Sequence, residues 1–170
     1  MASPVVEQLR GIFAAEHVAL VGATDKEGSF GRLFLEGMRD AGCRNLYPIN
    51  PRKTELLGMK TYASVTEVPV RLDVAILLTP PESILGLVKE CVAKKVKGAV
   101  VFASGFGELG GQGRELEAEI GRVGREGGTR IIGPNCLGFF NPAAGVITLP
   151  QVLMEHVPLD PGSVGAFSQS

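Results

Sequence analysis

The sequence predicts an α/β fold: a Rossmann-like open parallel sheet with helices on both faces. Three observations carry this. Short apolar runs alternate along the chain with longer stretches of helical spacing, the order of βαβ units. The runs are continuously apolar rather than alternating, as expected of strands covered on both faces. Glycine makes up 23 of the 170 residues, about twice its usual share, and so many glycines imply tight turns and close backbone approach to a ligand.

His17 to Val21 (HVALV) is a buried strand that enters a loop at Gly22-Ala23-Thr24. Gly31 to Ala41 sets Leu33, Phe34, Leu35 and Met38 among charged residues, which is a helix face, with Gly42 as its C-terminal stop. Leu46 to Ile49 is a second strand closed by Asn50-Pro51, since proline cannot continue a central ladder. Thr54 to Tyr62 is weakly patterned and reads as a turn with a short extra strand. Asp73 to Leu78 is the third strand. Thr79-Pro80-Pro81 stops it and opens a helix over Glu82 to Lys95, with Ile84, Leu85, Leu87, Val88, Cys91 and Val92 at helical spacing. Gly98 to Phe102 is the fourth strand, Ala103 to Gly113 a glycine-bearing loop, and Arg114 to Gly124 an amphipathic helix. Thr129 to Ile132 is the fifth strand, entering Gly133-Pro134-Asn135-Cys136. From Leu137 onward the chain is irregular, with strands expected at Val146 to Leu149 and Val164 to Phe167.

Composition removes several function classes. Apolar residues at 45% and charged residues at 21% are an ordinary globular balance and exclude a disordered chain. A formal net charge of -1 lacks the basic excess of a nucleic-acid binder. No apolar run approaches the roughly 18 residues of a membrane span, and Met1 to Arg10 has neither the basic start nor the apolar core of a signal peptide. Cys43, Cys91 and Cys136 lie far apart, which is neither a disulfide framework nor a zinc pattern, and no Cys/His/Asp grouping has metal spacing. A cytoplasmic protein is expected.

In such a sheet, ligands bind outside the carboxyl ends of the strands, where strand order reverses. The first loop, Gly22 to Gly31, is glycine-rich and feeds a helix, whose free N–H groups suit a phosphate. It matches neither G-x-G-x-x-G nor a P-loop. Its plainer reading is a strand-to-helix turn with Ser29 as N-cap. After the second strand, where an NAD site wants an acid for the ribose hydroxyl, stand Arg52 and Lys53. They suit a phosphate on a ribose, or they form a solvated basic turn. Thr79-Pro80-Pro81 is either a stiff wall for an adenine ring or helix punctuation. The glycines of Ala103 to Glu108 allow N–H groups to face an anion; the alternative is a flexible connection with Ser104 capping. His17 lies at the end of the sheet away from ligands and reads as structural. His156 is in the irregular tail, with no partner in sequence. Cys136 is at the ligand edge and reads as a buried, inert thiol.

Taken together, Val21-Gly22-Ala23-Thr24, Ile49-Asn50-Pro51, Thr79-Pro80-Pro81, Ser104-Gly105-Phe106-Gly107-Glu108, Ile132 to Gly138 (IGPNCLG) and Asn141-Pro142 resemble the CoA-binding domain of NDP-forming (ADP-forming) acyl-CoA synthetases. Succinyl-CoA synthetase alpha subunits are more distant relatives. The resemblance spans about residues 8 to 170, and Gly133 to Gly138 with Asn141-Pro142 is its most specific part. It implies a Rossmann-like domain over residues 1–160 that holds the ADP portion of coenzyme A. On this reading Gly28, Ser29, Phe30 and Gly31 lie along the phosphates, and Gly22 and Thr24 of the same loop also bind the cofactor. Lys53, with Arg52 beside it, contacts the CoA, whose ribose carries a 3′-phosphate. Thr79, Pro80 and Pro81, then Phe102, Ala103 and Ser104, flank the nucleotide.

Residues 161–170 resemble the start of the family's second, flavodoxin-like domain, which bears a phosphohistidine that neither His17 nor His156 matches. ATP, ADP and magnesium belong to further parts of such a synthetase. The resemblance therefore implies a non-catalytic piece of a larger acid–thiol ligase, with CoA or acyl-CoA and the remaining domains or subunits as its partners. Two alternatives keep the fold: a regulatory CoA-binding domain of a protein lysine acetyltransferase, and a stand-alone sensor of NAD(H) or CoA.

Overall fold

The computed structural model describes residues 3–43, 45–150, 160–163 and 165–166. In chain order its elements are α1 (Pro4–Phe13), β1 (Val18–Val21), α2 (Phe30–Asp40), β2 (Leu46–Ile49), β3 (Glu55–Leu56), β4 (Met59–Lys60), β5 (Val74–Leu77), α3 (Pro81–Lys94), β6 (Gly98–Val101), α4 (Gly111–Gly127), β7 (Arg130–Ile132), β8 (Phe140–Asn141) and β9 (Val146–Ile147). Five strands form one parallel sheet in the order β2-β1-β5-β6-β7. The chain leaves β1 in one direction for β2, then crosses back to β5 on its other side. Strand order therefore reverses between β1 and β5, and the carboxyl ends of these two strands frame a crevice.

Alternate side chains of each strand enter two cores. Val18, Leu20, Val74, Ile76 and Val100 meet Ile12 of α1 and Phe34, Leu35 and Met38 of α2. Ala19, Val21, Ala75, Leu77, Ala99 and Val101 meet Ile84, Val88 and Cys91 of α3 and Ile120 of α4. Burying a side chain such as Phe34 contributes about 1.5–3 kcal/mol, so a sheet covered on both faces is what these apolar runs require. Cys91 sits inside the second core, where burial pushes its thiol up to about 12, and burial pushes Cys43 up to about 11.

Three elements depart from the sequence reading. The segment before β1, unassigned from sequence, is helix α1, capped by the Ser3 hydroxyl. It docks through Gln8, whose amide donates to the carbonyls of Lys97 (3.1 Å) and Gly128 (2.9 Å). The Thr54–Tyr62 stretch is a full β3–β4 hairpin turning at Leu57 (φ 50°) and Gly58 (φ 78°), followed by Tyr62, whose N–H bonds the Pro48 carbonyl and shields edge strand β2. The expected strand at Val146 forms, but it pairs with Phe140–Asn141, which the sequence left irregular. Of the expected strand at Val164 to Phe167, Gly165 and Ala166 are described and lie in no strand; Val164, Phe167 and His156 lie outside the described residues.

The amino end of the sheet is held by one buried carboxylate. Asp73 accepts the N–H groups of Glu16 and His17 (both 3.0 Å) and pairs with Lys97 (2.6 Å). Burial opposes its ionisation, but the Lys97 ammonium and the two N–H groups outweigh that and hold the carboxyl below its ordinary range. His17 Nδ1 lies 2.9 Å from the Tyr47 hydroxyl, in keeping with a structural role.

Candidate functional site

The loops after β1, β2, β5 and β6 converge at the carboxyl edge of the sheet around two neighbouring cavities that share Thr79. One, about 440 Å³, lies at the β1/β5 crevice and is bordered by Gly22, Thr24, Asn50, Pro51, Ser83 and Gly86. The other, about 520 Å³, is bordered by Phe30, Pro80, Pro81, Phe102, Ser104 and Cys136. A larger cavity, about 700 Å³, lies apart along α4 and β7, beside Arg114, Gly121, Arg125 and Ile131. The site is placed at the first pair because they sit at the reversal of strand order, beside the start of α2 and the basic turn described next.

The β1–α2 loop is built for a close approach. Gly22 takes φ 88° against Leu78, and Gly28 takes φ 70° with nothing within 4 Å of a would-be side chain. Ser29 caps α2: its hydroxyl accepts the Arg32 N–H and donates to the Lys26 carbonyl at 2.6 Å. Gly31 is buried, and a Cβ there would overlap the Gly22 carbonyl oxygen, so helix and strand touch backbone to backbone. Phe30, 52% exposed, lies with its ring centroid 4.9 Å from that of Phe102, which in turn packs edge-on to Phe34 at 5.5 Å.

Arg52 and Lys53 line neither cavity. They stand on the exposed turn beside the crevice, and the Lys53 ammonium is 3.1 Å from the Asp25 carboxylate of the first loop. Two residues that sequence reasoning did not assign to the site fix this turn. Asn50 donates its amide to the Ala23 carbonyl (2.9 Å) and accepts the Arg52 N–H (2.8 Å), tying the two loops together. The Thr61 hydroxyl holds the Lys53 carbonyl. An asparagine closing a strand before proline is a turn signal, but nothing local shows which carbonyl it reaches.

The β5–α3 segment punctuates and borders at once: Pro81 is the first residue of α3, while Thr79, Pro80 and Pro81 wall the 520 Å³ cavity. Ser83 Oγ lies 2.7 Å from both Thr79 Oγ1 and the Pro80 carbonyl, fixing the threonine. The loop after β6 corrects one expectation. Its glycine N–H groups do not face an outside anion. The Glu108 carboxylate accepts the N–H groups of Gly105 (2.5 Å) and Phe106 (3.1 Å), and Glu117 accepts that of Gly107 (2.8 Å). The Gly105 N–H above all holds the Glu108 carboxyl below its ordinary range. The chain's own acids fill this nest, and the loop offers Phe102, Ala103 and Ser104 as a firm border. Cys136, expected to be buried, is half-buried on the cavity wall.

Among the described residues no group of three or more His, Cys, Asp or Glu side chains could hold a metal ion, and no helix is long and apolar enough to cross a membrane. The two cavities share Thr79; Phe30, Phe102, Pro80 and Pro81 wall one of them, and the Arg52–Lys53 turn stands beside the other.

These features are those of a Rossmann-like α/β domain with an open crevice at its switch point. The chain belongs to the CoA binding domain family, which matches residues 16–142. It is 38% identical over 163 residues to an ADP-forming acetate–CoA ligase of Methanocaldococcus jannaschii, covering 96% of this chain and 22% of that protein. It is 34% identical over 159 residues to ADP-forming acetate–CoA ligase I of Archaeoglobus fulgidus, covering 94% and 22%. Among solved structures, the apo dinucleotide-forming acetyl-coenzyme A synthetase 1 of Candidatus Korarchaeum cryptofilum superposes with a TM-score of 0.80 at 35% identity, covering 89% of this chain and 32% of that one. The chain thus spans between a fifth and a third of the proteins it is compared with here.

Proposed function

We propose that this chain holds the ADP portion of coenzyme A, as the CoA-binding module of a multidomain NDP-forming acyl-CoA synthetase. Residues 1–160 are the module, and residues 161–170 begin a second domain. The observation that carries this reading is the placement of Arg52 and Lys53 at the end of β2, beside the crevice, where a dinucleotide site would carry an acid. Coenzyme A has a 3′-phosphate on its ribose, and a cation there is the matching charge. The turn Gly28 to Gly31 takes the pyrophosphate at the start of α2, with Gly22 and Thr24 beneath it. Thr79, Pro80, Pro81, Phe102, Ala103 and Ser104 border the remainder. The acyl group, the phosphohistidine and the NTP belong to the rest of the parent, so this chain alone binds and does not turn over.

Calorimetric titration with CoA, dephospho-CoA and NADH tests the reading. CoA is expected to bind tightest, and either removing the 3′-phosphate or making Lys53→Glu is expected to weaken binding roughly tenfold, the size of one charged hydrogen bond. Lys53→Glu leaves dephospho-CoA affinity little changed. Equal loss for both ligands removes Lys53 from the 3′-phosphate. Tightest binding by NADH replaces the reading with that of a dinucleotide sensor.

A further inference from the structure

Lys53 already has an anion. Its ammonium is 3.1 Å from Asp25 Oδ2, and both side chains are about half exposed, 50% and 46%. The backbones that carry the pair are fixed. The Asp25 carbonyl accepts Arg32 Nη1 at 3.0 Å, and the Lys26 N–H bonds the Thr24 hydroxyl at 3.2 Å. Across from them, the Thr61 hydroxyl holds the Lys53 carbonyl, and Asn50 bridges to Ala23. Only the two side chains are free to part. Arg32, the other cation of this loop, is engaged by Glu36 at 2.8 Å and Glu27 at 3.6 Å, so it does not take over Asp25 through its carboxylate.

We propose that Asp25 is an internal competitor for the phosphate position: its carboxylate neutralises Lys53 in the free protein and is displaced by the 3′-phosphate of the incoming nucleotide. This rests on the CoA reading above. An exposed ion pair between two anchored loops is weak enough to open, and a phosphate dianion is a stronger partner for an ammonium than a carboxylate. A ligand without the 3′-phosphate has nothing to offer Lys53 and leaves the pair closed. Asp25 therefore lowers the affinity for the phosphorylated ligand alone and speeds its release.

The test is a double-mutant cycle by calorimetry on Asp25→Asn, Lys53→Gln and the double variant, each with CoA and dephospho-CoA. Asparagine keeps the shape of the side chain and removes its charge. Asp25→Asn is expected to tighten CoA roughly two- to fivefold, the range of an exposed ion pair, and to leave dephospho-CoA unchanged. The gain is expected to vanish in the Lys53→Gln background. A purely structural role for Asp25 would move both ligands together. Wild-type discrimination between the ligands with no gain from Asp25→Asn, or a gain that survives Lys53→Gln, overturns the competitor role and leaves the CoA reading standing. Equal wild-type affinity for both ligands, or no binding of either, overturns both.

Discussion

Gly28 in the β1–α2 loop and Gly31 in the first turn of α2 stand three residues apart and meet different physical demands. Gly28 needs its positive φ and faces open space, whereas Gly31 has ordinary helical geometry and no room for a methyl group. Gly31→Ala is therefore expected to destabilise the fold by about 1–3 kcal/mol through overpacking against the Gly22 carbonyl. Gly28→Ala is expected to cost only about 1 kcal/mol, through backbone strain. Urea denaturation of the two variants checks the order, and a larger loss at Gly28 would contradict it. The sequence marks both residues as glycines of a phosphate-type turn but does not separate these roles, because the atom that excludes a Cβ at Gly31 belongs to Gly22, nine residues earlier at the end of β1. Asn50 and Thr61 were illegible for a related reason. Their partners, Ala23 and Lys53, are 27 and 8 residues away, and only the folded register selects them.

The strands and the central helices were legible because each carries its own burial pattern: β1, β5 and β6 are buried at every position, and α2 turns Phe34, Leu35 and Met38 inward. Helix α1 escaped because Ile12 is its one buried side chain and its anchors are long-range bonds from Gln8. Its available signal was Ser3-Pro4 with Glu7 following, a cap, a first-turn proline and a first-turn acid. Helix α3 carries a glycine that its own stability does not call for. Gly86 is in its interior, with nothing within 4 Å of a would-be Cβ, and it borders the 440 Å³ cavity. Neither φ nor packing calls for glycine there. Gly86→Ala is expected to stabilise the domain by about 0.5–1 kcal/mol. Gly86→Phe, which projects a ring into the cavity, is expected to weaken CoA while keeping the fold. A melting curve beside a CoA titration separates the two effects. An Ala variant no more stable than wild type would show that the glycine costs the helix nothing, and a Phe variant with full CoA affinity would show that this cavity does not take the ligand.

The two ends of the sheet divide the work of the domain. Its carboxyl edge keeps Lys53, Arg52 and Asp25 exposed, where charges can exchange partners, and its amino edge buries Asp73 against two N–H groups and pairs it with the half-buried Lys97. Acid sensitivity should therefore arise at the amino edge, away from the proposed ligand. The Asp73 carboxyl has a lower pKa folded than unfolded, so its stabilisation is fully present above the unfolded value of about 3.8 and is lost as pH falls through the lowered folded value. Asp73→Asn keeps one acceptor and loses the charge. It is expected to destabilise the protein by about 1–3 kcal/mol at neutral pH and to flatten the fall in stability toward acid, so that the two curves converge at low pH. Urea midpoints measured from pH 7 down into the acid range give both curves. Parallel curves would mean that Asp73 titrates alike in the folded and unfolded chain. CoA affinity at neutral pH is expected to be unchanged in the same variant, because Asp73 lies at the opposite ends of β1 and β5 from the crevice.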